Sequence, residues 1–238
     1  MTPDIELARA THASTVQVRR AWLVLGMASL AFVLLFAGAI TAANWVYRHA
    51  TEPEVARLSV VSGNGALVRS PADPDWRLVT GDTTVRERDL VSTALGTVVT
   101  LRMFDGSTVE VAEDTIVRVA KMRSSRFLRR TKLIVLEPER GAIYIGMEPR
   151  GDYGFSEITT RIGDVRVTMS DESGRADAGS YLVEVLDESG ETDRDAQVVR
   201  AAVLHGAATI HIADQSTRLE ANEQTLIDAN GSLAEVTT

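Results

Sequence analysis

Two kinds of hydrophobic patterning divide the chain. From Ala21 to Tyr47, "AWLVLGMASLAFVLLFAGAITAANWVY", no residue is charged and Asn44 is the one strongly polar side chain. A helix rises about 1.5 Å per residue and needs about 20 apolar residues to cross a bilayer, so this run predicts a transmembrane helix. From Arg57 onward the pattern changes to short β-branched runs such as "RLSVVSG", "TVVTLRM", "STVEVA", "KLIVLE", "SYLVEVL" and "ATIHIA", separated by Gly, Pro, Asp and Asn. That period of two, with no long helical period between the runs, predicts a mainly β protein. Its all-β part would be a sandwich, a barrel or a solenoid-like coil of strands. The expected organisation is a tail over 1–20, a transmembrane helix over 21–47, a linker over 48–56 and a β domain over 57–236. That domain reads as one unit or two, with a break near 148–154.

The ends of the apolar run sharpen this reading. Trp22 lies at one end and Trp45 and Tyr47 at the other, where amphipathic rings meet the headgroups. A cleaved signal peptide is the rival, since "AGAITAAN" offers small residues. Signal-peptide apolar cores, however, run to about 7–15 residues. Arg9, Arg19 and Arg20 precede the helix, and Arg48 and Arg57 follow it. Basic residues favour the cytoplasmic side, so the N-terminus is expected inside and residues 48–238 outside.

Within the β region, "TVVTLRMFDGSTVEVAEDTIVRV" (Thr97–Val119) poses a register problem. A two-residue Asp105-Gly106 turn would set Leu101 opposite Glu110 and mix apolar with polar on one face. A three-residue loop, Phe104-Asp105-Gly106, sets Leu101 opposite Val109, Val99 opposite Val111, Thr100 opposite Glu110 and Arg102 opposite Thr108. Gly106 then takes the left-handed position. Asp105 reads as a turn former bonding nearby amides, not as a catalytic carboxylate. On that reading Gly106→Val damages folding and Asp105→Asn is nearly silent.

Composition removes several function classes. The 238 residues carry a net charge of -8, and cysteine is absent. An acidic chain argues against nucleic-acid binding. Without cysteine there are no disulfides, thiol nucleophiles or zinc–thiolate sites. No nucleophile elbow, zinc-protease helix or phosphate loop occurs. No catalytic residue, metal or cofactor is expected, and the protein reads as a non-enzyme.

The ordered series of motifs resembles the FecR family. "LRMFDGSTVEVAEDTIVRV" is similar to that family's central signature, and "KLIVLEPERGAIYIGM", "FSEITTRIGDVRV" and "VVRAAVLHGAATIHIADQSTRLEANEQTLIDANG" follow in the family's order. Upstream, "SVVSGNGALVRS" and "GDTTVRERDLVSTALGT" fit its early part. The resemblance covers roughly 57–236. It implies an extracytoplasmic β domain on a single-pass anchor in the bacterial inner membrane, which in such members relays signals from an outer-membrane receptor to a cytoplasmic sigma factor. Such members carry a cytoplasmic helical region of many tens of residues, whereas 1–20 is too short for a sigma-binding domain. The expected function is therefore binding and relay, or scaffolding, with a protein partner in the envelope. One alternative is a regulator of a sigma factor through a separate cytoplasmic partner. Another is an accessory subunit, or a wall- or polysaccharide-binding module.

The densest charge feature is "RVAKMRSSRFLRRTK", with Arg118, Lys121, Arg123, Arg126, Arg129, Arg130 and Lys132 among fifteen residues. Arg123, Arg126, Arg129, Arg130 and Lys132 are the candidate binding residues, for anionic headgroups, an acidic wall polymer or an acidic partner. Phe127 and Leu128 would add apolar contact. The bland reading is a solvated connection between strands. "SDESGRAD" and "DESGETDRD" lack calcium-loop spacing and read as solvated hairpin tips. His205 and His211 read as ordinary strand histidines.

Overall fold

The computed structural model describes residues 4–126, 131–147, 155–170, 179–187, 197–228 and 236–237. The chain divides into two compact units, Met1–Ala50 and Thr51–Thr238.

The first unit is one helix, α1 (Asp4–His49). It continues N-terminal of the apolar run, so the stretch read as a short tail is helical from Asp4. Nucleation is the costly step of helix formation. A helix already formed in the apolar run extends outward at one hydrogen bond per added residue. Trp22–Trp45 is long and apolar enough to cross a membrane. Its 24 residues span about 36 Å, against about 30 Å of hydrocarbon. Its apolar side chains, among them Leu25, Leu35 and Phe36, are exposed. Phe32 and Phe36 stack one turn apart with centroids 6.2 Å from each other. The Thr41 hydroxyl donates to the Ala37 carbonyl at 2.8 Å, which satisfies this polar group within the helix itself.

The second unit is mainly β and begins at once. The expected linker is largely strand: β1 (Thr51–Pro53) and the start of β2 (Val55–Ser62). Pro53 cannot continue a helix, but its missing N–H is tolerated on a short strand at a sheet edge. Strand β1 pairs antiparallel with the end of β9 (Ile116–Ser125), Thr51 opposite Ser125 and Pro53 opposite Arg123.

Strand pairings give two sheets, with strands numbered in chain order. One runs β4 (Asp73–Val79), β3 (Ala66–Ser70), β6 (Leu90–Ser92), β9, β10 (Thr131–Met147), β11 (Phe155–Ile162), β12 (Val165–Ser170), β15 (Ala207–Ile212), β16 (Gln215–Glu220). The other runs β5 (Thr83–Arg86), β2, β7 (Val98–Arg102), β8 (Thr108–Val111), β10, β13 (Gly179–Asp187), β14 (Gln197–His205), β17 (Gln224–Ile227). Strand β10 belongs to both, and no pairing among the described residues closes a ring. One continuous core lies between the sheets. It joins Val117, Met122, Ile134, Leu136, Ile158 and Ile210 of the first to Leu58, Leu101, Val109, Ile143, Val183 and Val199 of the second. Of the architectures the alternation allowed, a sandwich is therefore the one observed.

Strand β10 has to bend to do this. Straight, Thr131 to Met147 would span about 53 Å. Yet Phe155 pairs in parallel beside Thr131, and the eight steps from Met147 to Phe155 cover at most about 29 Å. The turn falls where the register shifts between Pro138 and Arg140 and at Gly141, whose φ is 83°. A Cβ at Gly141 would collide with the Thr115 hydroxyl and the Asp114 carbonyl. Residues up to Arg140 serve the first sheet, and Gly141–Met147 the second.

The 97–119 hairpin has the register expected from parity: Val99 opposite Val111, Thr100 opposite Glu110, Leu101 opposite Val109, Arg102 opposite Thr108. The amide of Gly106 donates to the Met103 carbonyl at 3.0 Å and that of Met103 to the Ser107 carbonyl at 2.8 Å. Gly106 has φ 92°. This is a turn closed by a glycine bulge.

Candidate functional site

The described part of the basic segment lies on β9 and the start of β10, which pair antiparallel, and the end of β9 also pairs with the strand that follows the helix. Strand β9 alternates Val117 and Val119 into the core, and strict alternation would send Lys121 in next. A register shift opposite Val135 and Leu136 inserts one residue, so Met122 is buried instead and Lys121 stays half-exposed. A bulge thus re-aims the side chains and keeps an ammonium out of the core.

Several of the cations are tied to carboxylates remote in sequence. Arg123 grips Glu87 with two parallel bonds, Nε to Oε2 and Nη2 to Oε1, both 2.8 Å. The Glu87 side chain is 14% exposed. The Arg123 hydrogen bond holds its carboxyl below the ordinary value, against the opposing effect of burial, and the Met122 amide helps. The same bond raises Arg123. Such forks are the stronger kind of ion pair. Arg126 meets Glu52 at 3.1 Å and Arg118 meets Glu139 at 2.9 Å; both pairs are exposed and contribute little stability. Lys132 is half-buried at the start of β10, opposite Ser124 and Ser156. Arg129, Arg130, Phe127 and Leu128 lie outside the described residues, as do most of both acidic stretches.

The same contacts clamp the segment after the helix. Ser124 Oγ donates to Glu54 at 2.6 Å, the Glu54 amide to the Met122 carbonyl at 2.9 Å, and Arg123 Nη1 to the Thr51 hydroxyl at 3.4 Å. Glu52, Glu54 and Glu87 are the residues that sequence reasoning missed. Glu87 lies 36 positions from Arg123, and no local pattern joins them.

Asp105 is more than a turn former. It is 4% exposed. Its Oδ1 accepts from the Ser107 amide at 3.0 Å, and its Oδ2 from the hydroxyls of Ser107 at 2.8 Å and Ser156 at 2.6 Å. Ser156 belongs to β11, so the carboxylate ties the two sheets. That corrects the expectation that Asp105→Asn would be nearly silent. Tyr181 makes a second tie to β11. Its fully buried hydroxyl lies 3.1 Å from Thr160 Oγ1 and 3.4 Å from the Ile158 carbonyl, and burial pushes the phenol upward. His205 and His211 sit on β14 and β15 and do not face each other.

No family model matches the chain, and no curated protein matches it. Two crystal structures, at 2.50 and 1.65 Å resolution, of a chain from Parabacteroides distasonis ATCC 8503 described as a "putative anti-sigma factor" are similar in structure. Identity is 17% and the TM-score 0.44 in both cases, over 63% of this chain and 59% of that one. The chain thus spans less than two thirds of the length of those structures.

Proposed function

We propose that this is a single-pass protein of the bacterial inner membrane, with its N-terminus inside and its β domain outside. The β domain binds a partner in the envelope and relays or scaffolds, with no chemistry of its own. The observation that carries this reading is the clamp on β1. Strand pairing starts two residues after the helix ends; Thr51 and Glu54 are bonded to β9 and Glu52 to Arg126 just past its end. Ala50 alone separates the last helical residue from the first strand residue.

The continuity of α1 from Asp4 favours relay over pure scaffolding. A helix that crosses the membrane and continues beyond it offers a partner on the far side one continuous element. On this reading the finer role is regulation of a sigma factor through a separate cytoplasmic protein. In-cell crosslinking of the full-length protein, followed by mass spectrometry, tests it. Crosslinks from residues 4–20 to a cytoplasmic protein, together with crosslinks from the β domain to an envelope protein, support relay. Crosslinks from the β domain alone reduce it to a scaffold. Turnover of model esters, glycosides or phosphoesters by the purified protein would overturn the non-enzymatic reading.

A further inference from the structure

We infer that the outer face of the second sheet carries a site for a phosphoryl group, built on Arg57 and Arg102. The site lies wholly within the β unit. Strand β2 pairs with β7 so that Arg57 stands directly opposite Arg102. Alternation puts both on the solvent side. Their chain neighbours Ala56, Leu58, Leu101 and Met103 are buried in the core, and both arginines are exposed. Directly opposed Cβ atoms lie about 4.5–5.5 Å apart, and like charges so placed are destabilising. Arg86 adds a third cation. On β5 it lies two residues along from Thr84, the partner of Arg57, and on the same exposed face.

Among the described residues, no carboxylate forms an ion pair with Arg57, Arg86 or Arg102. Glu110 stands one row away, opposite Thr100 on β7 and Tyr144 on β10. Asp82 accepts from the Ser59 hydroxyl at 2.8 Å. Elsewhere the fold compensates such a pair. Arg161 and Arg166 also face each other, on β11 and β12, and there Glu137 lies 3.6 Å from Arg161. At Arg57 and Arg102 the compensating charge is left to a ligand. A carboxylate offers one charge and two oxygens. A phosphate monoester carries about −1.5 to −2 and three acceptor oxygens, which suits two guanidinium forks on facing strands. Thr84 and Thr108 bracket the pair across the sheet, and their short side chains leave both guanidiniums open.

The test uses the full-length protein in detergent, and its first arm needs no variant. Phenylglyoxal modification of the arginines is followed by mass spectrometry. Inorganic phosphate, glucose 1-phosphate or glucuronate is added at constant ionic strength. The two phosphates should slow modification at Arg57 and Arg102 about tenfold at about ten times their dissociation constants. Arg77, exposed on β4, should react at its original rate, and glucuronate should protect neither site residue. Protection by glucose 1-phosphate at lower concentration than inorganic phosphate assigns the group to a phosphosugar. Protection at equal concentration assigns it to the phosphoryl group alone. Thermal melts form the second arm. Arg57→Gln and Arg102→Gln should each raise the melting temperature without phosphate, by removing the repulsion, and abolish the rise that phosphate gives the parent. Absence of protection, equal protection by glucuronate, or equal slowing at Arg77 overturns the inference. So does a phosphate-induced rise that survives both Gln substitutions, or a lower melting temperature of both variants without phosphate.

Discussion

Asp105→Ala is the perturbation whose cost the structure sets most directly. It removes the acceptor for one amide and two hydroxyls at a buried position. The Ser107 amide cannot turn elsewhere, and a buried donor without a partner costs about 1–3 kcal/mol. The two hydroxyls can rotate, so each adds about 1 kcal/mol. The total is about 3–5 kcal/mol. In a domain of this size 1 kcal/mol moves the melting temperature by about 2–4 °C, which gives a drop of about 10 °C. The assay is thermal denaturation of the full-length protein in detergent, followed by near-ultraviolet circular dichroism. Ser156→Ala should cost about 1 kcal/mol alone and almost nothing on top of Asp105→Ala, because both act on one bond. Asp105→Asn should cost about 1–2 kcal/mol, since charge-assisted bonds are about twice as strong as neutral ones. An Asp105→Ala protein melting within about 2 °C of the parent would refute the tie between the sheets.

Three other outcomes follow. Gly141→Ala should destabilise by about 3–5 kcal/mol, combining left-handed strain with the collision at Thr115, or leave the β unit unable to resist protease. Glu87→Gln should flatten the acid limb of stability. Its bond to Arg123 holds the folded Glu87 carboxyl below its ordinary value, so its contribution is full above the ordinary carboxylate range and fades as pH falls through the depressed value. Parent and variant should thus differ at neutral pH and converge in acid, as urea titrations at several pH values would show. Tyr181→Phe should cost about 1–2 kcal/mol by leaving the buried Thr160 hydroxyl short of a partner, read from the same melts.

What could be read from sequence was what nearest neighbours decide. The apolar run gives the helix because lipid-length hydrophobicity is a property of consecutive residues. Parity gives the 99–111 register because a one-residue slip would expose Leu101 and Val109. The rest depends on contacts across the chain. The Glu87–Arg123 fork, the Asp105–Ser156 bond and the clamping of Thr51–Glu54 join residues 36, 51 and about 70 positions apart. Thr51–Pro53 carries a linker's composition and becomes a strand only because β9 presents an open edge to it. The bulge that turns Lys121 out in favour of Met122 breaks the alternation on which strand prediction relies.

The account stands on which side of the membrane each part lies. Single cysteines at Thr11 and at Leu95, probed with a membrane-impermeant maleimide in spheroplasts, test this directly. The account predicts that the cysteine at 95 reacts in intact spheroplasts and the cysteine at 11 only after permeabilisation. Reaction at 11 in intact spheroplasts, with 95 protected until lysis, would contradict it.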